Sequence, residues 1–309
     1  MKLYVGVTDY DWYSILKESN CDEVNFWRPG GSTNFSAINI NDMFLFKLHA
    51  PRNYIVGGGY FVRFSILPTF LAWDAFGIEN GTHSLKELNE RVMKYKKRSS
   101  TFDPSMNIGC IILTEPFFWD EQDWIPVPSD WSNSIVQGKT YSTDNIIGES
   151  LSSQVLERIK RINTVQPLTL IDWDQQRYGI EQMIRHRLGQ GAFRIMVTDG
   201  YHRRCSITGE RTLPVLDAAH IRPYAVNGPH IIQNGLLLRT DLHTLFDKGY
   251  ITVDEKYNVD VSKKLYTDFG NGKIYYAYHG KKVQNMPDNI IEMPAKEFLT
   301  WHNENVFLG

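Results

Sequence analysis

Four stretches in the first half of the chain carry the apolar patterning of β-strands. LYVGVT (3–8), MFLFKLHA (43–50), YIVGGGYFVRFSIL (54–67) and NIGCIILTEPFFW (107–119) are rich in β-branched and aromatic residues and are bounded by Gly, Pro, Asn or Asp. One segment between them changes period. In SLKELNERVMKYKKR, Ser84 is followed three residues on by Glu87, and Leu85, Leu88, Val92 and Tyr95 recur at helical spacing. That is a capping box heading an amphipathic helix. Strands with one or two helices and no βαβ alternation predict a small barrel-like or α+β domain over residues 1–145.

From about residue 146 the pattern turns helical. STDNIIGESLSSQVLERIKRIN is polar and then amphipathic, with Val155, Leu156 and Ile159 as its apolar positions and Pro167 beyond it. This predicts a helical linker over 146–183, and a further helix, QRYGIEQMIRHRLGQ, leads into a second domain over 184–309. Within it, PVLDAAHI reads as a short strand ending at His220, Pro223 opens a loop holding the Asn227–Gly228 turn, and GLLLR reads as a second strand. DLHTLFDKG then forms a helix closed by Gly249. Residues 205–254 thus make a strand–loop–strand–helix unit that gathers His220, Asn234 and His243.

Composition narrows the class. The chain has 309 residues, 22% charged and 42% hydrophobic, which argues for folded domains and against disorder, collagen or coiled coil. No apolar run approaches the roughly 18 residues of a membrane span, and the start, MKLYVGVTDYDWY, does not read as a secretory signal. Three distant cysteines, Cys21, Cys110 and Cys205, support neither a disulfide framework nor a zinc site and point to the cytoplasm. The net charge of -2 hides an asymmetry: residues 1–150 carry 13 Lys/Arg against 18 Asp/Glu, and residues 151–309 carry 20 against 17. Between 184 and 222 stand Arg185, Arg187, Arg194, Arg203, Arg204, Arg211 and Arg222, a stripe that suits phosphate or a solvated face equally. In the acidic first half, Lys94, Lys96, Lys97 and Arg98 cluster at a helix end, where they also complement the helix dipole.

The unit at 205–254 resembles the HNH nuclease family, through AAHIRP for the first His, NGLLL for the central Asn and LHTLFDKG for the final His. The resemblance implies a β-hairpin and helix gripping one divalent metal, and hydrolysis of phosphodiester bonds. His220 is then the general base, because imidazole titrates near the working pH. By the same resemblance Asn234 pins the loop that presents His220, and His243 is a metal ligand. Many members place a metal-binding Asp just before the first His, where this chain has Ala219. Asp217, two residues back on the same strand face, and Asp247, four residues on along the helix, are the candidates to compensate; each has a plain structural alternative, and a third arrangement is a single protein ligand with phosphate and water completing the shell. Mg²⁺ or Mn²⁺ suits such a shell, and one imidazole also admits Ni²⁺ or Zn²⁺. Arg203, Arg204 and Arg222 flank the strand as candidate phosphate contacts.

The first domain resembles the PUA-superfamily modification readers of the EVE and SRA type, through NFWRPGG, NINDMFLFKLHA and IVGGG. Fused to an HNH unit, such a domain implies a modification-dependent restriction endonuclease that flips a methylated or hydroxymethylated cytosine into an aromatic pocket. Trp27, Pro29, Trp73, Trp119 and Trp124 form the pool for that pocket, although most aromatics in a β domain are core. His49, Arg52 and Asn53 in the HAPRN loop are candidate DNA contacts. Gly57, Gly58 and Gly59 suit either close backbone approach or a strand bulge. The expected partner is double-stranded DNA carrying a modified base, with a homodimer allowed and no membrane. Two other readings stay open: a first domain that reads sequence, a phosphorothioate backbone or another DNA feature, and a non-catalytic DNA-binding protein, favoured only by Ala219.

Overall fold

The computed structural model describes residues 1–29, 34–96, 106–165 and 188–309. The chain divides into two compact units, Met1–Arg187 and Leu188–Gly309. Most of the helix expected at 176–190, together with Pro167, Lys97, Arg98, Arg185 and Arg187, lies outside the described residues.

In the first unit β1 (Lys2–Thr8), β2 (Glu23–Arg28), β3 (Met43–Leu48), β4 (Tyr54–Pro68), β5 (Asn107–Phe118), β6 (Ile125–Pro126) and β7 (Gly138–Ser142) form one sheet. Its order is β2-β5-β4-β3-β1-β7, with β6 on β4, and β1 pairs parallel with β3 while its other pairings are antiparallel. The strand period of two decides which helix covers which face. Phe44 and Phe46 of β3 turn toward α1 (Tyr10–Ser19), where Trp12, Tyr13 and Leu16 are buried among them. Met43 and Leu45 turn the other way, onto a core that includes Leu151 and Val155.

Those last two residues belong to the expected linker. They lie on a helix at Ile146–Val165 that packs on the sheet beside Leu3, Val5 and Tyr141, so the segment is part of the first unit's core. Its apolar stripe needed a surface to cover, and the sheet face supplies one. Between α1 and this helix come α2 (Thr69–Phe76) and α3 (Leu85–Lys96), which makes the packing helix α4. Ser84 caps α3 as expected, its Oγ accepting from the Glu87 N–H at 3.1 Å, while the Glu87 side chain reaches one residue beyond the cap, its Oε2 accepting from the His83 N–H at 2.8 Å. The glycine run lies inside β4, where a Cβ at Gly57 would stand 2.2 Å from the Phe117 carbonyl oxygen. The β4–β5 register shifts between Gly58 and Tyr60, so these glycines serve strand packing at a bulge. The two ends of the sheet curl together, with the Arg28 side chain at the end of β2 donating to the Gln137 side chain just before β7.

In the second unit α5 (Gln190–Gly200) is followed by an antiparallel hairpin of β8 (Leu216–His220) and β9 (Gly235–Arg239), which pairs Asp217 with Leu238 and His220 with Gly235. Next come α6 (Thr240–Asp247), a small hairpin of β10 (Ile251–Val253) and β11 (Val259–Val261), short helices α7 (Lys264–Phe269) and α8 (Lys273–Tyr276), and α9 (Lys296–Asn305). Phe193, Tyr201, Leu236, Leu238, Leu242 and Phe246 share one core. The last helix buttresses α6. His302 is stacked on Phe246, with centroids 3.7 Å apart, and its Nε2–H donates to the Phe246 carbonyl at 3.1 Å. Its Nδ1 is thereby left to accept from the Thr252 hydroxyl at 2.8 Å. Burial brings the pKa of this imidazole down to about 4. Among the described residues, no helix is long and apolar enough to cross a membrane.

Candidate functional site

His220 closes β8, and its ring lies flat on Phe193 of α5, with centroids 3.8 Å apart and planes 13° apart. Its Nε2 faces Nδ1 of His230 at 2.9 Å. Burial first, then the neighbouring His230 and His243, bring its pKa down to about 4. The ring is therefore neutral at pH 7 and can accept a proton.

Asn234 is fully buried between the loop and β9. Its Oδ1 accepts from the Arg222 N–H at 2.9 Å, and its Nδ2 donates to the Arg222 carbonyl at 2.9 Å and the Pro229 carbonyl at 3.0 Å. One amide thus clamps both ends of the 222–229 loop. Gly228 completes the closure, because a Cβ there would stand 1.8 Å from the Arg222 carbonyl oxygen. The hydrogen bonds of the Asn234 side chain therefore all go to backbone of the loop.

His243, one turn into α6, stands between two carboxylates. Nδ1 is 3.4 Å from Asp217 Oδ2 on β8, and Nε2 is 3.3 Å from Asp247 Oδ2 at the end of α6. Burial and then the nearby Asp217 charge raise the pKa of Asp247, against the lowering effect of His243. The start of α6 is fixed by a two-pronged pair, Arg239 Nε to Asp241 Oδ1 at 2.6 Å and Nη2 to Oδ2 at 2.8 Å. The carboxylates flank opposite nitrogens of one ring, and among the described residues no three His, Cys, Asp or Glu are arranged to hold a metal. What the site offers is a pair, one imidazole nitrogen with one carboxylate. That fits an oxygen-seeking divalent ion completing its shell with solvent and phosphate oxygens, the remaining N–H being held by the other carboxylate.

Two of the flanking arginines are engaged nearby. Arg203 pairs with Asp199 at 3.2 Å, and Arg222 donates from Nε to the Val226 carbonyl at 2.9 Å and lies 5.5 Å over the Trp301 ring. Arg204 is half-exposed. Cys205 is buried, with its sulfur accepting from the Thr208 and Arg239 N–H groups at 3.4 Å, a core role.

Residues 205–254 match the model of the HNH endonuclease family. The HNH unit therefore contains His220, Asn234, His243 and both carboxylates. Structures of an ASCH protein from Zymomonas mobilis are similar to the N-terminal half. One is 9% identical, covering 49% of this chain and 94% of that chain with a TM-score of 0.34. A variant of it is 10% identical, covering 50% and 98% with a TM-score of 0.33. A modification-dependent restriction endonuclease, TagI, is 12% identical over 92% of this chain and 75% of that chain, with a TM-score of 0.28. No curated protein matches the sequence.

The first unit holds a cavity of about 440 Å³. Trp27, Pro29 and His49 line it, as does a set drawn from four distant elements: Tyr4 of β1, Trp12 of α1, Phe26 of β2 and Tyr95 of α3. Besides His49, the polar residues of the lining are Thr8, Asp9, Arg28 and Gln137. The Tyr95 hydroxyl donates to Asp9 Oδ2 at 2.6 Å, and burial followed by this bond raises the pKa of the phenol. Trp27 is anchored by its Nε1–H on the Asn80 carbonyl at 2.9 Å. Other members of the expected pool lie elsewhere. Trp119 is a core residue at 2% exposure, and Trp124 packs on Tyr13 and Tyr54. Trp73, on α2, is not among the lining residues. In the HAPRN loop, Arg52 lies 3.9 Å over the Tyr10 ring, and Asn53, at φ 52°, accepts from buried Lys47 at 2.8 Å, so both have local roles. Sequence reasoning also missed His230, whose only signal was a histidine inside the loop that Asn234 clamps.

Proposed function

We infer that the chain is a DNA endonuclease that hydrolyses phosphodiester bonds at His220 and is directed by its first unit to DNA carrying methylated or hydroxymethylated cytosine. The nuclease reading is carried by the convergence of His220, Asn234 and His243 inside the segment that matches the HNH endonucleases. His220 takes a proton from the attacking water. A phosphate anion beside the ring favours its charged form, which strengthens the base once substrate is present. Asn234 touches no reacting atom and holds the loop. His243 with Asp217 would hold a divalent ion, Mg²⁺ or Mn²⁺ by donor type, and Asp247 would orient the ring. That ion would neutralise charge on the phosphate.

The reading of the first unit rests on its cavity. Flat side chains on several sides suit an extruded base. Extrusion costs a few kcal/mol and stacking returns about 1–3 kcal/mol per base, so the added contact of a methyl or hydroxymethyl group tips a near balance. Reader function thus falls to the sheet with α4, and cutting to Leu188–Gly309. The test is cleavage of paired plasmids, unmodified, methylated and hydroxymethylated, with Mg²⁺. Modified DNA should be cut and unmodified DNA spared, and His220→Ala should bind but not cut. Equal cutting of all three plasmids removes the reader; a His220→Ala protein cutting above a few per cent of the wild-type rate removes the base.

A further inference from the structure

His230 has no place in the three-residue pattern that defines the site, yet among the described residues it is the hydrogen-bond partner of the His220 side chain. The contact is built from several directions. Tyr224 lies flat on the His230 ring, with centroids 4.5 Å and planes 13° apart, as Phe193 does on His220. The two imidazoles meet edge to face at 64°. The Pro229 carbonyl, immediately before His230, accepts from Asn234 Nδ2 and also from the Ile231 N–H. The buried asparagine therefore fixes the backbone that carries His230 as well as the backbone after His220.

Two neutral imidazoles with facing nitrogens 2.9 Å apart share one proton, so the state of one ring dictates the state of the other. We propose that His230 is a positioning residue for the nuclease reaction, whose Nδ1 accepts the Nε2–H of His220 and so leaves His220 Nδ1 as the nitrogen that takes the proton. The balance of the step requires this arrangement. The water O–H bond breaks, its proton forms an N–H on His220 Nδ1, and the oxygen's electron pair forms the new P–O bond. The P–O bond to the leaving oxygen breaks, and that oxygen takes a proton from solvent. The imidazolium formed carries hydrogen on both nitrogens, so its Nε2 partner must be an acceptor. In the opposite arrangement His230 would present a second N–H to a ring that no longer has a lone pair there.

This inference rests on the nuclease reading above, and its test separates the two. Four variants of the full chain are compared: His230→Ala, His230→Phe, His230→Gln and His230→Asn. Phe keeps the stack on Tyr224 without a nitrogen; Asn places an acceptor oxygen near the Nδ1 position, and Gln places it one bond too far. With melting temperatures recorded for each, Ala, Phe and Gln should lower kcat about 10- to 100-fold at unchanged KM, and Asn should recover most of the loss. Ring-nitrogen NMR of the wild-type protein should show His220 as the Nε2–H tautomer, a signal that does not depend on catalysis. A folded Ala or Phe variant at the wild-type kcat, or an Nδ1–H tautomer at His220, overturns the role of His230. A wild-type protein that shows the expected tautomer yet cuts no DNA overturns the nuclease reading instead.

Discussion

Replacing Asn234 by Ala would remove three hydrogen bonds made by a fully buried side chain. Each such bond contributes about 1 kcal/mol net, and each backbone group left buried without a partner costs about 1–3 kcal/mol. Water entering the space vacated by the amide recovers part of this, so a loss of about 3 kcal/mol is expected. For a unit of this size that lowers its melting temperature by roughly 10 °C. Calorimetry of the full chain, with separate transitions for the two units, would read the loss in the HNH unit alone. Asn234→Asp makes the reasoning sharper. Its carboxylate keeps the bond from the Arg222 N–H but turns a second oxygen toward two carbonyls. The folded state then favours the protonated acid, so the folded pKa is raised above the unfolded one. Relative to wild type, Asn234→Asp should be less destabilised at pH 5 than at pH 8, where the charge is unpaired. An Asn234→Ala protein within about 0.5 kcal/mol of wild type, or an Asn234→Asp protein relatively more stable at pH 8, would refute the clamp.

Other tests follow from the same geometry. His302 is 2% exposed and titrates near pH 4 in the fold against 6.5 in the unfolded chain, so the unfolded state binds its proton first on acidification. The HNH unit should lose roughly 3 kcal/mol from this group as pH falls from 6.5 to 4. His302→Gln, which can still donate to Phe246, should remove this share of the acid slope and leave the share of His220, whose pKa is also brought down to about 4; a slope unchanged from wild type in the variant would contradict it. By calorimetry with Mn²⁺, Asp217→Ala should weaken binding more than Asp247→Ala; the reverse order would exchange ligand and orienting carboxylate. Trp27→Ala should reduce the preference for modified over unmodified DNA by about 1–3 kcal/mol in paired binding titrations, whereas Trp73→Ala should leave it unchanged; equal effects would move the binding site away from the cavity.

The second unit's site was legible in the chain because its parts are local. His220 ends β8, Asn234 stands just before β9 and His243 lies on α6, all within one contiguous stretch of chain, and Pro223, Asn227, Gly228 and Gly249 mark the turns. Local backbone preference was therefore enough to place the three together. That Asp217 and Asp247 would come to stand beside His243 was legible for the same reason, through strand and helix periodicity. The strands of the first unit and the Ser84 cap of α3 were read from their own residues as well.

Tertiary structure decided what depends on contacts between distant segments. Whether 146–165 is a linker or a sheet-covering helix cannot be told from an amphipathic stripe, since either needs one; burial of Leu151 and Val155 against β1 and β3 settles it. The aromatics show this most clearly. Trp27 and Trp119 carry the same chemistry in sequence, but the register of β2 on β5 leaves Trp27 at a cavity edge, while Trp119 closes a core with Phe117, Ile125 and Tyr141. The pairing of His220 with His230 likewise required the loop to fold back under Asn234. Local propensity is a property of neighbouring residues and is written in the chain; burial and side-chain partnership are properties of the folded whole.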